Sequence, residues 1–97
     1  MGDKVAFQGR ITIETSGEMR RALLKALRVK PPNLSVDLSG VSYMDTSGLA
    51  TLLEASRIAR KQSTHLTLAG LHDQPQYLFQ ITHFDQLFDM ETPKAST

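Results

Sequence analysis

Along the chain the spacing of apolar residues switches between the two-residue period of a strand and the roughly 3.6-residue period of a helix, and each switch marks a new element. Lys4 to Glu14 alternates imperfectly around Val5, Phe7, Ile11 and Ile13, with Gly9 interrupting, which predicts one or two short strands with a bend. Ser16 offers a helix cap. From Gly17 to Arg28, Met19, Ala22, Leu23, Ala26 and Leu27 recur at helical spacing with Arg20, Arg21, Lys25 and Arg28 mostly opposite, the pattern of an amphipathic helix on a sheet. Pro31-Pro32-Asn33 ends it, and Leu34-Ser35-Val36-Asp37-Leu38 alternates as a strand with one face covered.

Next come Ser39 to Met44, the polar turn Asp45-Thr46-Ser47-Gly48, and a strong helical run from Leu49 to about Lys61. Leu66 to Ala69 reads as another short strand, closed by Gly70. Asp73 or Gln74 is placed to cap a third helix carrying Tyr77, Leu78, Ile81 and Phe84, with Pro75 in its first turn. Leu87-Phe88 is a candidate edge strand. The order is that of an α/β fold, a small mostly parallel β-sheet with packed α-helices, since helices of this length join parallel neighbours. The domain is expected over residues 4–90, and Glu91 to Thr97, polar and containing Pro93, is expected to be a mobile tail.

Composition narrows the function more than the fold. The chain has 97 residues, which fits one domain. Eleven basic residues against ten acidic ones leave a net charge of +1, without the electrostatic footprint of a nucleic-acid binder. With no cysteine there is neither a disulfide framework nor a thiolate metal site, which suits a reducing compartment. No apolar run is long enough to span a bilayer, and the start lacks the apolar core of a signal peptide, so a cytoplasmic location is expected. His65, His72 and His83 show no metal-ligand spacing and read as structural or solvated. Asp85 and Asp89 read as a solvated segment end, and Arg20, Arg21, Lys25, Arg28 and Lys30 as a solvated basic face. No cofactor is implied; a protein partner or small ligand is.

The candidate chemistry sits in the turn. Asp45, Thr46, Ser47 and Gly48 place a carboxylate, two hydroxyls and a permissive glycine where a helix begins. Its N–H groups lack intrahelical acceptors and its dipole favours negative charge, so a phosphate on Ser47 fits there without unfolding the domain. Helix capping by Thr46 or Ser47 accounts for the same residues. At about 100° per residue, Ser47, Ala50, Thr51, Glu54, Arg57, Ile58 and Lys61 form one stripe. Leu49, Leu52, Leu53, Ala55, Ser56 and Ala59 take the opposite, sheet-facing side. The mixed stripe suits a partner-binding surface.

Val41-Ser42-Tyr43-Met44-Asp45-Thr46-Ser47-Gly48-Leu49-Ala50 resembles the signature of STAS domains, in particular anti-sigma-factor antagonists, and the similarity runs from about Gly9 to Met90. The resemblance implies a non-enzymatic regulator whose turn is phosphorylated by a partner kinase that is also the anti-sigma factor, with a phosphatase to reset it. By position Ser47, directly before the glycine, is the implied phosphoacceptor and Thr46 the alternative. One departure stands out. Only eight residues precede Gly9, where many family members have a fuller hairpin, so a short or absent first strand would remove partner contacts or expose a sheet edge for dimerisation.

Two other readings use the same residues. The motif with Arg60-Lys61-Gln62 and Leu66 to Gly70 is also similar to the cytoplasmic STAS subunit of lipid-transport ABC complexes, in which Thr46 and the following helix would brace an ATPase. Asp-Thr-Ser-Gly also resembles the aspartic-protease fingerprint, which would require a β-rich half-enzyme sharing a proton between two carboxylates.

Overall fold

The computed structural model describes residues 3–91. In chain order these form β1 (Asp3–Ile11), α1 (Ser16–Arg28), β2 (Asn33–Met44), α2 (Thr46–Lys61), β3 (His65–Ala69), α3 (Asp73–Ile81), a 3-10 turn (Phe84–Gln86) and β4 (Asp89–Met90). The four strands make one all-parallel sheet in sequential order. Right-handed crossovers in that order place α1, α2 and α3 on the same face.

Strand alternation explains which face is covered. Leu34, Val36 and Leu38 of β2 and Leu66 and Leu68 of β3 point into the core, and Ser35, Asp37 and Thr67 point to the open side. On the open side Ser35 donates to the Glu91 carboxylate at 3.0 Å and Lys4 approaches Asp37 at 3.8 Å. Met19, Leu23 and Leu27 of α1 and Leu49, Leu52, Ala55 and Ala59 of α2 close the other side. Each fully buried Leu or Met there contributes roughly 1.5–3 kcal/mol of transfer free energy.

Several sequence expectations need correction. The first strand is neither short nor broken: β1 runs nine residues, and the irregularity around Gly9 is a pair of register shifts against β2. Its outer edge has no partner strand among the described residues. Ser16 is not the cap of α1; Thr15 is, and its hydroxyl accepts from Thr12 N–H and donates to Arg10 C=O, both at 2.8 Å. Residue 72, not Asp73 or Gln74, precedes the first helical residue of α3.

In α3 the inward residues are Pro75 and Phe79, four apart, while Tyr77 and Ile81 lie outside at 62% and 55% exposure. Phe84 belongs to the 3-10 turn, where it and Phe79 flank Phe88 at ring separations of 6.5 and 5.7 Å. The last strand is Asp89–Met90, immediately after the expected Leu87-Phe88, and Phe88 turns into the core. Of the expected tail, Glu91 pairs its N–H with Leu68 C=O at 2.7 Å, and 92–97 lie outside the described residues.

Candidate functional site

The turn is built from the ends of two parallel strands. Ile11 and Met44 are paired, and the chain leaves β2 with Asp45 N–H donating to Ile11 C=O at 3.0 Å. Asp45 is extended, at φ −103° and ψ −176°, and acts as the N-cap of α2. Its Oδ1 accepts both the backbone N–H of Ser47, at 2.9 Å, and the Ser47 hydroxyl. Its Oδ2 accepts Ile13 N–H from the β1–α1 loop at 3.0 Å. Its carbonyl accepts from Gly48 and Leu49 at 3.1 and 3.4 Å.

Asp45 therefore already supplies the negative charge that the helix start attracts. The N–H groups at the helix start, expected to lack acceptors, meet Asp45 at three positions: Ser47 through the carboxylate, Gly48 and Leu49 through the carbonyl. The Ser47 hydroxyl, followed by the backbone N–H groups of Ser47 and Ile13, holds the Asp45 carboxyl below the ordinary carboxylate range, against the opposing effect of partial burial.

Thr46, the first residue of α2, is exposed, whereas Ser47 is half-buried with its hydroxyl committed to Asp45. Gly48 is required by close approach: a Cβ there would lie 2.6 Å from Met44 Cγ and 3.0 Å from Ile11 Cγ2. Beside the turn, the Arg10 guanidinium sits 4.3 Å from the centre of the Tyr43 ring.

The expected stripe on α2 is brought together only in part. Ala50, Arg57 and Lys61 are exposed and lie with Thr46 on the outer side. Thr51 is buried, and its hydroxyl donates to Ser47 C=O at 2.9 Å within the helix. Ile58 is half-buried against the core rather than free. Glu54 is held in a two-pronged ion pair by Arg20 of α1, both contacts 2.8 Å, so it faces the seam between the helices. Leu53 packs against the core as expected while staying partly exposed, and Ser56, also expected there, is half-exposed. The stripe inferred from sequence thus turns inward at Thr51 and Ile58, and meets α1 through Glu54 and Arg20.

Residues 2–90 match the protein-family model described as "Mlab, STAS domain". The chain belongs to the STAS domain family. The anti-sigma-B factor antagonist of Listeria monocytogenes is 33% identical over 84 residues, covering 86% of this chain and 73% of that one. The intermembrane phospholipid transport system binding protein MlaB of Escherichia coli is 36% identical over 75 residues, 74% of this chain and 71% of MlaB. In fold, the STAS domain described here is similar to the crystal structure of an anti-sigma factor antagonist from Mycobacterium paratuberculosis, with TM-score 0.86 and 20% identity over 96% of this chain and 79% of that one.

The STAS relatives are named as antagonists and binding proteins, and this domain is not an enzyme. The aspartic-protease reading fails on the structure, since the motif opens a helix beside a parallel sheet instead of lying in a β-rich half-enzyme. Among the described residues no cluster of histidines and carboxylates could hold a metal, and no helix is long and apolar enough to cross a membrane.

Sequence reasoning missed three contacts at the STAS turn and along the helix that follows it: Ile13 N–H on Asp45, the side chain of Gln74 on Met44, and Arg20 on Glu54. Each joins positions at least 30 apart in sequence, and no periodicity encodes them.

Proposed function

We propose that this STAS domain is an anti-sigma-factor antagonist-like binding protein that engages an anti-sigma protein kinase through the Asp45–Gly48 turn and the outer side of α2, and that phosphorylation of the turn releases it. The observation that carries this reading is the exposed Thr46 hydroxyl at the start of α2, beside a second hydroxyl already organised by Asp45. Thr46, Ala50, Arg57 and Lys61 form the contact surface, with Gly48 keeping the turn close to the sheet.

The geometry favours Thr46 over Ser47 as the phosphoacceptor. A phosphate adds about −1.5 to −2 charge. On Ser47 it would displace the hydroxyl from Asp45 Oδ1 and set two anions against each other in a half-buried position. On Thr46 it would stand in solvent, at the positive end of the helix dipole. Against a partner shaped for a hydroxyl, the same charge would be desolvated and unpaired, which weakens binding. A phosphatase would reset the surface.

The test uses the anti-sigma kinase of the same genome. Calorimetric titration of the unmodified chain and of the chain stoichiometrically phosphorylated with that kinase and ATP is expected to show at least a ten-fold loss of affinity, equivalent to about 1.4 kcal/mol. Undiminished binding by the phosphorylated chain would overturn the switch.

The identity to MlaB supports a second reading. In it the domain braces the ATPase subunit of a lipid-transport ABC complex, with Thr46 as a contact and no phosphate required. Binding to that ATPase in the absence of ATP and kinase, lost in Thr46→Glu, would favour it.

A further inference from the structure

Gln74 lies in the first turn of α3, yet its side-chain amide makes both main-chain hydrogen bonds of Met44: Oε1 accepts Met44 N–H at 2.8 Å and Nε2 donates to Met44 C=O at 2.9 Å. This is the pairing a neighbouring strand would supply. The need arises from the register of the sheet. β3 pairs with β2 only over Asn33–Asp37, so beyond that point β2 has a strand partner on the β1 side alone. Met44 is fully buried, and its N–H and C=O would otherwise be unsatisfied out of reach of water.

The start of α3 is aimed at this position by independent features. Gly70, at φ +80°, lets the chain pass so near Ser39 that a Cβ would lie 2.7 Å from the Ser39 Cβ. His72 Nε2–H donates to Ser39 C=O at 2.8 Å. Asp73, immediately before Gln74, turns the chain into α3 through the left-handed conformation at φ +52°, which a short polar side chain tolerates.

We propose that Gln74 is the positioning residue of the Asp45–Gly48 turn: by completing the hydrogen bonding of Met44 it fixes the point from which Asp45, Thr46 and Ser47 are presented. The consequence for partner binding rests on the function proposed above; the clamp itself can be tested without a partner.

The experiment is NMR on the isolated chain, comparing wild type, Gln74→Ala, Gln74→Glu and Phe79→Leu. Phe79→Leu loosens α3 in the core while keeping the Gln74 amide, and serves as the control for a general loss of stability. Gln74→Ala is expected to speed amide exchange at Met44 and Ser47 by about ten-fold or more beyond the control. It should also move the side-chain titration of Asp45 up towards the ordinary 3.8. Gln74→Glu, an acceptor only while ionised, still receives Met44 N–H but sets a carboxylate oxygen against the Met44 carbonyl, so at neutral pH its protection factor at Ser47 should fall as in Gln74→Ala. It should recover at acid pH, where a protonated carboxyl again offers one donor and one acceptor.

Unchanged Met44 and Ser47 exchange with unchanged Asp45 titration in Gln74→Ala would overturn the assignment, as would an equal local change in Phe79→Leu. If Gln74→Ala does not fold, the acid recovery of Gln74→Glu decides: absence of recovery overturns the clamp. A phosphorylation switch that fails leaves all these readouts where they are, so the two ideas fall separately.

Discussion

The hydroxyl of Ser47 and the backbone N–H of the same residue both donate to one oxygen of Asp45, so a single carboxylate oxygen closes the first turn of α2. Removing the hydroxyl should therefore change the acid more than the helix. Ser47→Ala is expected to cost about 0.5–1.5 kcal/mol, the net worth of one hydrogen bond, while the Asp45 titration rises. Urea denaturation with carbon-detected NMR titration of the side chain checks both, and an unmoved Asp45 would show that the hydroxyl bond is not what lowers it.

The two hydroxyls differ in what they are committed to, which separates their variants. After incubation with kinase and ATP, Ser47→Ala is expected to retain a single phosphate and Thr46→Ala to lose it. Intact-mass measurement and site mapping report the result directly. Phosphate recovered on Ser47 alone would return the switch to the residue beside the glycine.

Acid should weaken the domain through Asp45. Its folded value is lowered, so its contribution is present in full above the ordinary 3.8 and is lost as pH falls through the lower folded value. Asp45→Asn keeps a capping oxygen but no charge. The stability gap between wild type and this variant should thus be open at neutral pH and close in strong acid. A gap of constant size across denaturation curves in that range would refute the assignment.

His72 acts with the opposite sign. The Asp73 carboxylate first, and the Ser39 carbonyl second, raise its value above the ordinary 6.5. Any stability it lends is present below 6.5 and is lost as pH rises through the raised folded value. His72→Gln should flatten this alkaline loss, measured as the urea midpoint on either side of neutrality.

The faces of α2 can be separated by substitution. Leu52→Ala, in the core, should cost about 2–5 kcal/mol. Arg57→Glu, on the outer side, should leave melting nearly unchanged and reduce partner affinity. Ile58→Glu should destabilise by roughly 1–3 kcal/mol, because Ile58 packs against the core. Gly48→Ala should cost about 1–3 kcal/mol through its collision with Met44. Thermal melts of the four variants, with partner titration for Arg57→Glu, give the comparison.

What the sequence determined by itself were the quantities carried by neighbouring residues. Alternation in Leu34 to Leu38 and the four-residue spacing of Met19, Leu23 and Leu27 identify buried faces, since each face follows from the geometry of one element. The motif from Val41 to Ala50 likewise located the turn and the family. The orientation of α2 was decided by its packing on the core and on α1, in which Thr51 is buried, Glu54 meets Arg20 and Ile58 faces inward. In α3 the outward placement of Tyr77 and Ile81 followed from Phe79 being the residue that met the core. The state of the turn was a tertiary matter too: whether its N–H groups were free, and which hydroxyl was accessible, depended on Asp45 reaching Ile13 across the sheet and on Gln74 completing Met44. Hydrogen bonds satisfy groups by proximity in space, and positions 30 residues apart acquire that proximity only when the sheet sets its register.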